Sequence, residues 1–565
     1  MKIEMLEKVM LNFDEQTLDS LLGNLKDALQ EWSFEGKELS TKKNKIEIIV
    51  GTIGVNLFND PSFRFKFFAA MEDTKAFKHI CELAFPGKNL SSLTQIDICN
   101  QLKAITFGDK EPYRYLIHDY FGLTDYGFVT KIAESSSEEL ERQGDKFFEL
   151  YDYQYMIKQQ TINDLSNPKK DLYKVLIHMP TGTGKTKTTM HIISHFINFI
   201  SKGNGMVIWI AHTNELLRQA YETFCNVWSH LGNKPIIVYK GWVEFPQKID
   251  KGILFTSIQT LQQKLNKPIY DELCENASLI IFDEVHKAGA KQTKKCIDKL
   301  MDRNNKFGKK FIGLTATPGR TTDLSRDNSL FAEGFDNIIG IDVDKINAIS
   351  LSEAEARNYQ GSKDPITYFQ EHGYLSKIEK EMLNYSIDPQ IKSALEKEIR
   401  REEYSSDLVE KIALNKSRNL KIVERLQKLN EEGIPTIVFA CSLQHAKMLS
   451  AYLRLINIPN SLVYGEMDPY DRAKSINDFK AGNVKIIINF EILTTGFDST
   501  NIKCVFITRP TKSVILYSQM IGRGLRGPKM GGNEKCLLID VAENLVSFNE
   551  TEAFKHFNVY WKKEK

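Results

Sequence analysis

The chain has 565 residues, 42% of them hydrophobic and 26% charged, the balance of a soluble protein that at about 100 to 200 residues per domain holds three or four domains. No stretch reaches the roughly 18 uninterrupted apolar residues a membrane span needs, and eight scattered cysteines without CxxC or paired Cys/His spacing indicate neither a disulfide framework nor a structural zinc site. Seventy-five basic residues against 73 acidic ones leave a net charge of +2, which taken whole gives no sign of an electrostatic nucleic-acid binder.

The opening residues, MKIEMLEKVMLNFDEQ, lack an apolar leader, so a cytoplasmic location is the expectation. Residues 1–145 carry apolar side chains at helical spacing, as in Met10, Phe13, Leu18, Leu21, Leu22 and Leu25, and predict a separate helical accessory domain. Within it LSTKKNKIEIIV (39–50) faintly resembles a small helix–extended–helix nucleic-acid element, but an ordinary charged helix start accounts for it better. A polar stretch, Glu134 to Asp145, then reads as a linker or solvated helix end.

From residue 146 to 345, short β-branched runs alternate with helical segments: KVLIHM (174–179), MVIWIAH (206–212), GILFTS (252–257), LIIFDE (279–284) and KFIGLTA (310–316). Strands buried on both faces and spaced by helices predict a parallel α/β sheet. Residues 346–415 turn charged and read as a helical connector without a strong strand. A second α/β set occupies 416–550, with TIVFAC (436–441), NSLVYG (460–465), VKIIINF (484–490), CVFITR (504–509) and CLLIDV (536–541), and 551–565 form a tail. The expected fold is therefore α/β, two parallel-sheet lobes joined by a helical connector and preceded by a helical domain.

The run KVLIHM enters Pro180-Thr181-Gly182-Thr183-Gly184-Lys185-Thr186 and then a helical pattern. This strand–loop–helix order is what a phosphate loop requires. Glycines admit backbone N–H groups to the phosphates, the helix N-terminus contributes positive dipole, Lys185 neutralises β/γ charge and Thr186 can ligate Mg²⁺. Met179 stands where the common pattern begins with Gly, which leaves the rest of the cradle intact. The loop alone says that a nucleotide binds. The next element narrows the chemistry: the run LIIFDEVH ends in Asp283 and Glu284, carboxylates at the edge where open α/β sheets bind ligands. Asp283 suits a Mg²⁺ shell and Glu284 can polarise a water for attack on the γ-phosphate.

Together these segments resemble superfamily 2 helicases and translocases, and further motifs follow in order: WIAHTNELLRQ (209–219), TSIQTL (256–261), DEVH (283–286), GLTATPGR (313–320), VFACS (438–442), NFEILTTGFD (489–498) and QMIGRGLRG (519–527). The detail is most similar to the motor subunits of restriction-type enzymes. The resemblance spans about residues 146–545 and implies two RecA-like lobes with ATP between them. It implies that Gln154 reads the adenine edge, that Gly496 and Asp498 complete the nucleotide site, that His286 and Gln519 link the lobes, and that Thr315 and Thr317 couple nucleotide state to strand movement. Arg523 and Arg526, three residues apart in a Gly-rich segment, can project from one face as arginine fingers. Nucleic-acid contacts are implied at Thr213, Arg218, Thr256, Thr494 and Thr495, where hydroxyls suit sugar–phosphate recognition.

The expected activity is ATP hydrolysis driving movement on nucleic acid, DNA in preference to RNA, in a restriction-like or phage-defence setting. Two other readings use the same motor residues: an RNA remodeller, and an ATP-gated sensor signalling to a partner subunit. No Asp…Glu-x-Lys nuclease arrangement occurs, so cleavage would fall to another subunit. Charge is split along the chain: −7 over residues 1–150, +6 over 151–350 and +3 over 351–565. The base lies in the lobes expected to track a backbone.

Overall fold

The computed structural model describes residues 4–23, 25–26, 41–90, 92–123, 126, 135–145, 147–166, 172–287, 291–302, 308–317, 333–350, 361–398, 403–494 and 499–543. The first sheet has eight strands: β1 (Ser137–Leu140), β2 (Leu172–His178), β3 (Met206–Ala211), β4 (Ile236–Lys240), β5 (Gly252–Ser257), β6 (Ala277–Asp283), β7 (Lys309–Thr315) and β8 (Asn337–Ile339). They lie in the order β1-β4-β5-β3-β6-β7-β2-β8, all parallel except β1 against β4. Every residue of β3, β5, β6 and β7 is buried, as strands covered on both faces by helices must be. Because β6, β7 and β2 are neighbours, with Asp283 opposite Leu314 and Thr315 opposite His178, three strand ends meet at one edge.

The second sheet is wholly parallel, in the order β11-β12-β10-β13-β14-β9. Its strands are β9 (Lys377–Leu383), β10 (Thr436–Phe439), β11 (Asn460–Val463), β12 (Ile486–Asn489), β13 (Cys504–Ile507) and β14 (Lys535–Val541).

Two expectations are corrected at the sheet edges. The polar stretch ending at Asp145 contains β1, whose Glu138 meets Lys240 at 3.5 Å and also takes the Tyr221 hydroxyl, so the first lobe begins before residue 146. The connector is not purely helical either, because β9 completes the second sheet alongside β14. Both segments are edge strands rich in charge. Glu381 receives two hydrogen bonds from Arg425, at 2.7 and 2.9 Å, and Glu379 pairs with Lys535 at 2.6 Å. Charged side chains at an edge deter pairing with other chains and at the same time erase the apolar pattern by which a strand is read.

The N-terminal helices include Glu15–Leu22, Lys42–Ile53, Pro61–Ala69, Thr74–Ala84 and Gln95–Ala104. Side chains of Asp14, Thr41, Asp60, Asp73 and Thr94 cap them, each satisfying an orphan N–H of a first turn. Lys45 is buried between Glu15 and Asp19 at 2.6 and 2.7 Å, so it holds helices together. The expectation of a separate domain is corrected: its core runs unbroken into the second lobe. Helix Lys42–Ile53 buries Ile46, Ile48, Ile49 and Val50 and packs on helix Leu443–Leu455, while Tyr126 meets Tyr470 edge-on at 4.8 Å. Apolar residues around most of the helix serve two partners, which helical periodicity alone does not distinguish from one.

Across this junction Asn56 Nδ2 donates to Asp471 Oδ2 at 2.7 Å. Burial, with Asp468 nearby, pushes the Asp471 carboxyl up to about 6 from its usual 3.8, against the opposing pull of Asn56 and Lys474. The folded chain thus holds this proton more tightly than the unfolded one. The stability it contributes is complete below about 3.8 and is lost as pH rises through about 6. Asp471→Asn is expected to flatten the thermal-midpoint slope across that window and to raise the midpoint at neutral pH; an unchanged slope would assign the pH dependence elsewhere.

Candidate active site

The loop after β2 enters helix Lys185–His195 with Gly184 in the left-handed region, φ 78° and ψ 33°. A Cβ there would lie 2.5 Å from Gln154 Nε2, so only glycine serves. Gln154 is buried, 1% exposed. Its Oε1 accepts from the Tyr151 N–H at 3.1 Å, and its Nε2 donates to the Thr183 carbonyl at 3.1 Å, which also takes the Tyr153 hydroxyl at 3.0 Å. Both ends of the Gln154 amide are thus engaged, Oε1 by the start of its own helix and Nε2 by the loop. The Thr183 side chain is fully buried and its hydroxyl donates to Pro180 O at 2.7 Å, so that hydroxyl shapes the loop from behind. Lys185 Nζ donates to Met179 O at 3.3 Å, with its ammonium folded over the loop.

Lys185, Thr186, Asp283 and Glu284 line one cleft of about 880 Å³ together with Thr181, Gly182, Gly184 and Gln154. Arg523, Arg526, Lys529 and Met530 from the second lobe close its other side. The lobes touch here. A Cβ on Gly522 would lie 2.5 Å from Thr181 Cγ2, and one on Gly182 would lie 3.5 Å from Arg526 Cγ. The hydroxyl of Thr186 and the carboxylate of Asp283 are a donor set suited to Mg²⁺, which takes few protein ligands and completes its octahedron with phosphates and waters.

Glu284 has φ 54°, a left-handed backbone uncommon for a residue with a side chain, and such strain collects at working sites. Its Oε2 lies 3.3 Å from His286 Nδ1. The same Nδ1 is 3.0 Å from Thr315 Oγ1, which donates to Thr317 O at 2.7 Å and accepts from the Thr317 N–H at 3.0 Å. On the other ring nitrogen, His286 Nε2 is 3.4 Å from Gln519 Nε2 of the second lobe. The tautomer with its proton on Nδ1 can donate there toward Thr315 Oγ1 or Glu284 Oε2 and receive the Gln519 amide at Nε2. A buried polar chain thus runs from Thr317 through Thr315, with Glu284 beside His286, across to Gln519.

The residues expected to touch nucleic acid do not share one surface. Thr256 is fully buried, so its hydroxyl is out of reach of a phosphate. Arg218 stacks over Trp242 at 5.5 Å and lines the same cleft as Lys185 and Asp283. Thr213 caps helix Asn214–Leu231, accepting from the Leu216 N–H. It borders a second cleft of about 570 Å³ between the lobes, facing Tyr464, Arg472 and Phe490. The side chain of Thr494, and Thr495, Gly496 and Asp498, lie outside the described residues. Sequence reasoning missed Tyr151, whose hydroxyl donates to Lys529 O at 2.5 Å, and the Glu215–Arg472 ion pair across the lobes at 3.0 Å. Glu215 falls within WIAHTNELLRQ and Tyr151 stands three residues before Gln154, but both contacts arise from lobe packing and could not be read from either segment.

Residues 147–320 match the family model for the res subunit of type III restriction enzymes, and residues 418–527 match the helicase conserved C-terminal domain. Two relatives carry the name ATP-dependent helicase. IRC3 of Saccharomyces cerevisiae is 25% identical over 384 residues, 67% of this chain and 49% of that protein, and irc3 of Schizosaccharomyces pombe is 26% identical over 389 residues, 66% and 54%. The chain spans about half the length of these relatives. Among solved structures, Dbp5 of S. cerevisiae bound to RNA and ADP BeF3 superposes with a TM-score of 0.44 at 12% identity, covering 72% of this chain and 88% of that one.

Proposed function

The chain belongs to the superfamily 2 helicases, and from that premise we propose that it is an ATP-driven motor that moves on or remodels DNA. One observation carries this reading: a phosphate loop and an Asp283–Glu284 pair from one lobe share a cleft with Arg523 and Arg526 from the other, so closure of the lobes completes the hydrolytic site. Lys185 neutralises charge on the β- and γ-phosphates. Thr186 and Asp283 hold Mg²⁺, which when bound screens the phosphate oxygens. Glu284 accepts the proton of the attacking water, and Arg526, with Arg523 beside it, stabilises charge on the departing phosphoryl group.

His286 and Gln519 relay lobe position to Glu284, and Thr315 and Thr317 extend that relay along the strand end. Gln519→Leu is expected to leave KM for ATP unchanged while lowering stimulation of hydrolysis by nucleic acid; full stimulation in that variant would remove the relay. DNA is favoured because the first lobe matches a restriction-enzyme motor subunit. The setting we propose is restriction-like, with any nuclease or effector on a separate subunit.

The test is ATPase stimulation by single- and double-stranded DNA and RNA, joined to a strand-displacement assay. Stimulation by DNA with displacement or translocation is expected. Stimulation by RNA alone would make the chain a remodeller of RNA, and stimulation without movement would make it an ATP-gated sensor.

A further inference from the structure

The helix Val514–Ile521 ends before Arg526 is reached, so no helical hydrogen bonding fixes the backbone of that residue. Its place is set by the connector instead. Leu375 and Arg526 form an isolated antiparallel bridge. The Ser376 N–H donates to Leu525 O at 2.9 Å, the Gly527 N–H to Tyr374 O at 3.0 Å, and the Lys529 N–H to Gly373 O at 3.0 Å. Ser376 is completely buried, and its hydroxyl lies 2.6 Å from both the Arg526 and the Asn533 carbonyl oxygens. Its one proton is shared between these two acceptors, at the point where the Asn533 N–H also donates to Arg526 O at 2.9 Å, so the hydroxyl sits at the closure of the turn that carries the guanidinium.

The same short segment grips the first lobe. Tyr374 packs edge-on to Tyr151 and Tyr153, each at 5.0 Å, and Phe369 lies 4.7 Å from Tyr153. Tyr153 in turn bonds the phosphate loop at Thr183 O. The connector thus reaches the loop through aromatic rings on one side and Arg526 through backbone and a buried hydroxyl on the other.

We infer that Ser376 is a positioning residue for Arg526, holding the finger at the distance from the phosphate loop that the connector and its tyrosines define. This rests on the finger reading of Arg526 given above. A misplaced finger costs transition-state stabilisation and leaves ground-state binding untouched.

The experiment compares Ser376→Ala, Arg526→Ala and the double variant in the full chain, measuring kcat and KM for ATP and the affinity for ADP with aluminium fluoride. Ser376→Ala is expected to lower kcat by about ten- to a hundredfold, to weaken aluminium-fluoride binding in parallel, and to leave KM nearly unchanged. Added to Arg526→Ala it is expected to cost nothing more, because it acts through that side chain. Gly527→Ala supplies a second route: a Cβ there would run into the Gly373 carbonyl oxygen and part the two segments, with the same kcat signature. Parent kcat in Ser376→Ala beside an inactive Arg526→Ala would overturn the positioning role and leave the finger standing. Additive losses in the double variant would overturn it too. Parent rates in Arg526→Ala would remove the finger and the inference together.

Discussion

Glu284→Gln is expected to bind ATP as the parent chain does and to hydrolyse it about a thousand times more slowly, since removing a positioned general base typically costs two to four orders of magnitude. The substitution keeps the shape of the side chain and its contact with His286 Nδ1, but an amide cannot take the proton of the attacking water. The left-handed backbone at this residue aims the carboxylate into the cleft beside Lys185 and Asp283, and Gln tolerates it no worse than Glu. Lys185→Ala provides the contrast, because loss of the ammonium acts at binding and raises KM before it touches chemistry. Single-turnover hydrolysis together with nucleotide titration separates the two. A Glu284→Gln chain that turns over normally would take the base out of the mechanism.

Arg526→Ala is expected to lose about a thousandfold in kcat or more, within the range found for arginine fingers, with ATP still bound. The residue comes from the lobe opposite the phosphate loop and lies against Gly182, so its contribution exists only when the cleft is shut. Arg526→Lys is expected to recover little, because an ammonium cannot reproduce the planar fork that meets two phosphoryl oxygens. Single-turnover rates measured with and without nucleic acid check this. Equal loss in both conditions places the finger in chemistry, and loss only with nucleic acid would place it in coupling.

The sheet centres were legible because β3, β5, β6 and β7 are buried along their whole length and so read as unbroken apolar runs. The loop at Gly182 to Thr186 and the pair at Asp283 and Glu284 could be singled out because phosphate and metal chemistry would restrict which residues stand there at that spacing, and the structure brings both to one cleft. What stayed hidden depended on partners far away in the chain. Strand β9 is KIEKEML, charged because it lies at an edge, and nothing local reveals that β14 runs beside it. Ser376 looks like any serine until Arg526 and Asn533 arrive from 150 residues further on and more. Thr256 shows the opposite failure, a residue in the right motif whose hydroxyl points into the core.

The shared core of the N-terminal helices and the second lobe makes one packed unit of two segments separated by the whole first lobe in sequence. If the cleft opens and shuts with each turnover, the helical bundle has to travel with the lobe whose core it shares. Trimming the bundle to obtain a smaller motor would strip the second lobe of part of the core it shares with those helices.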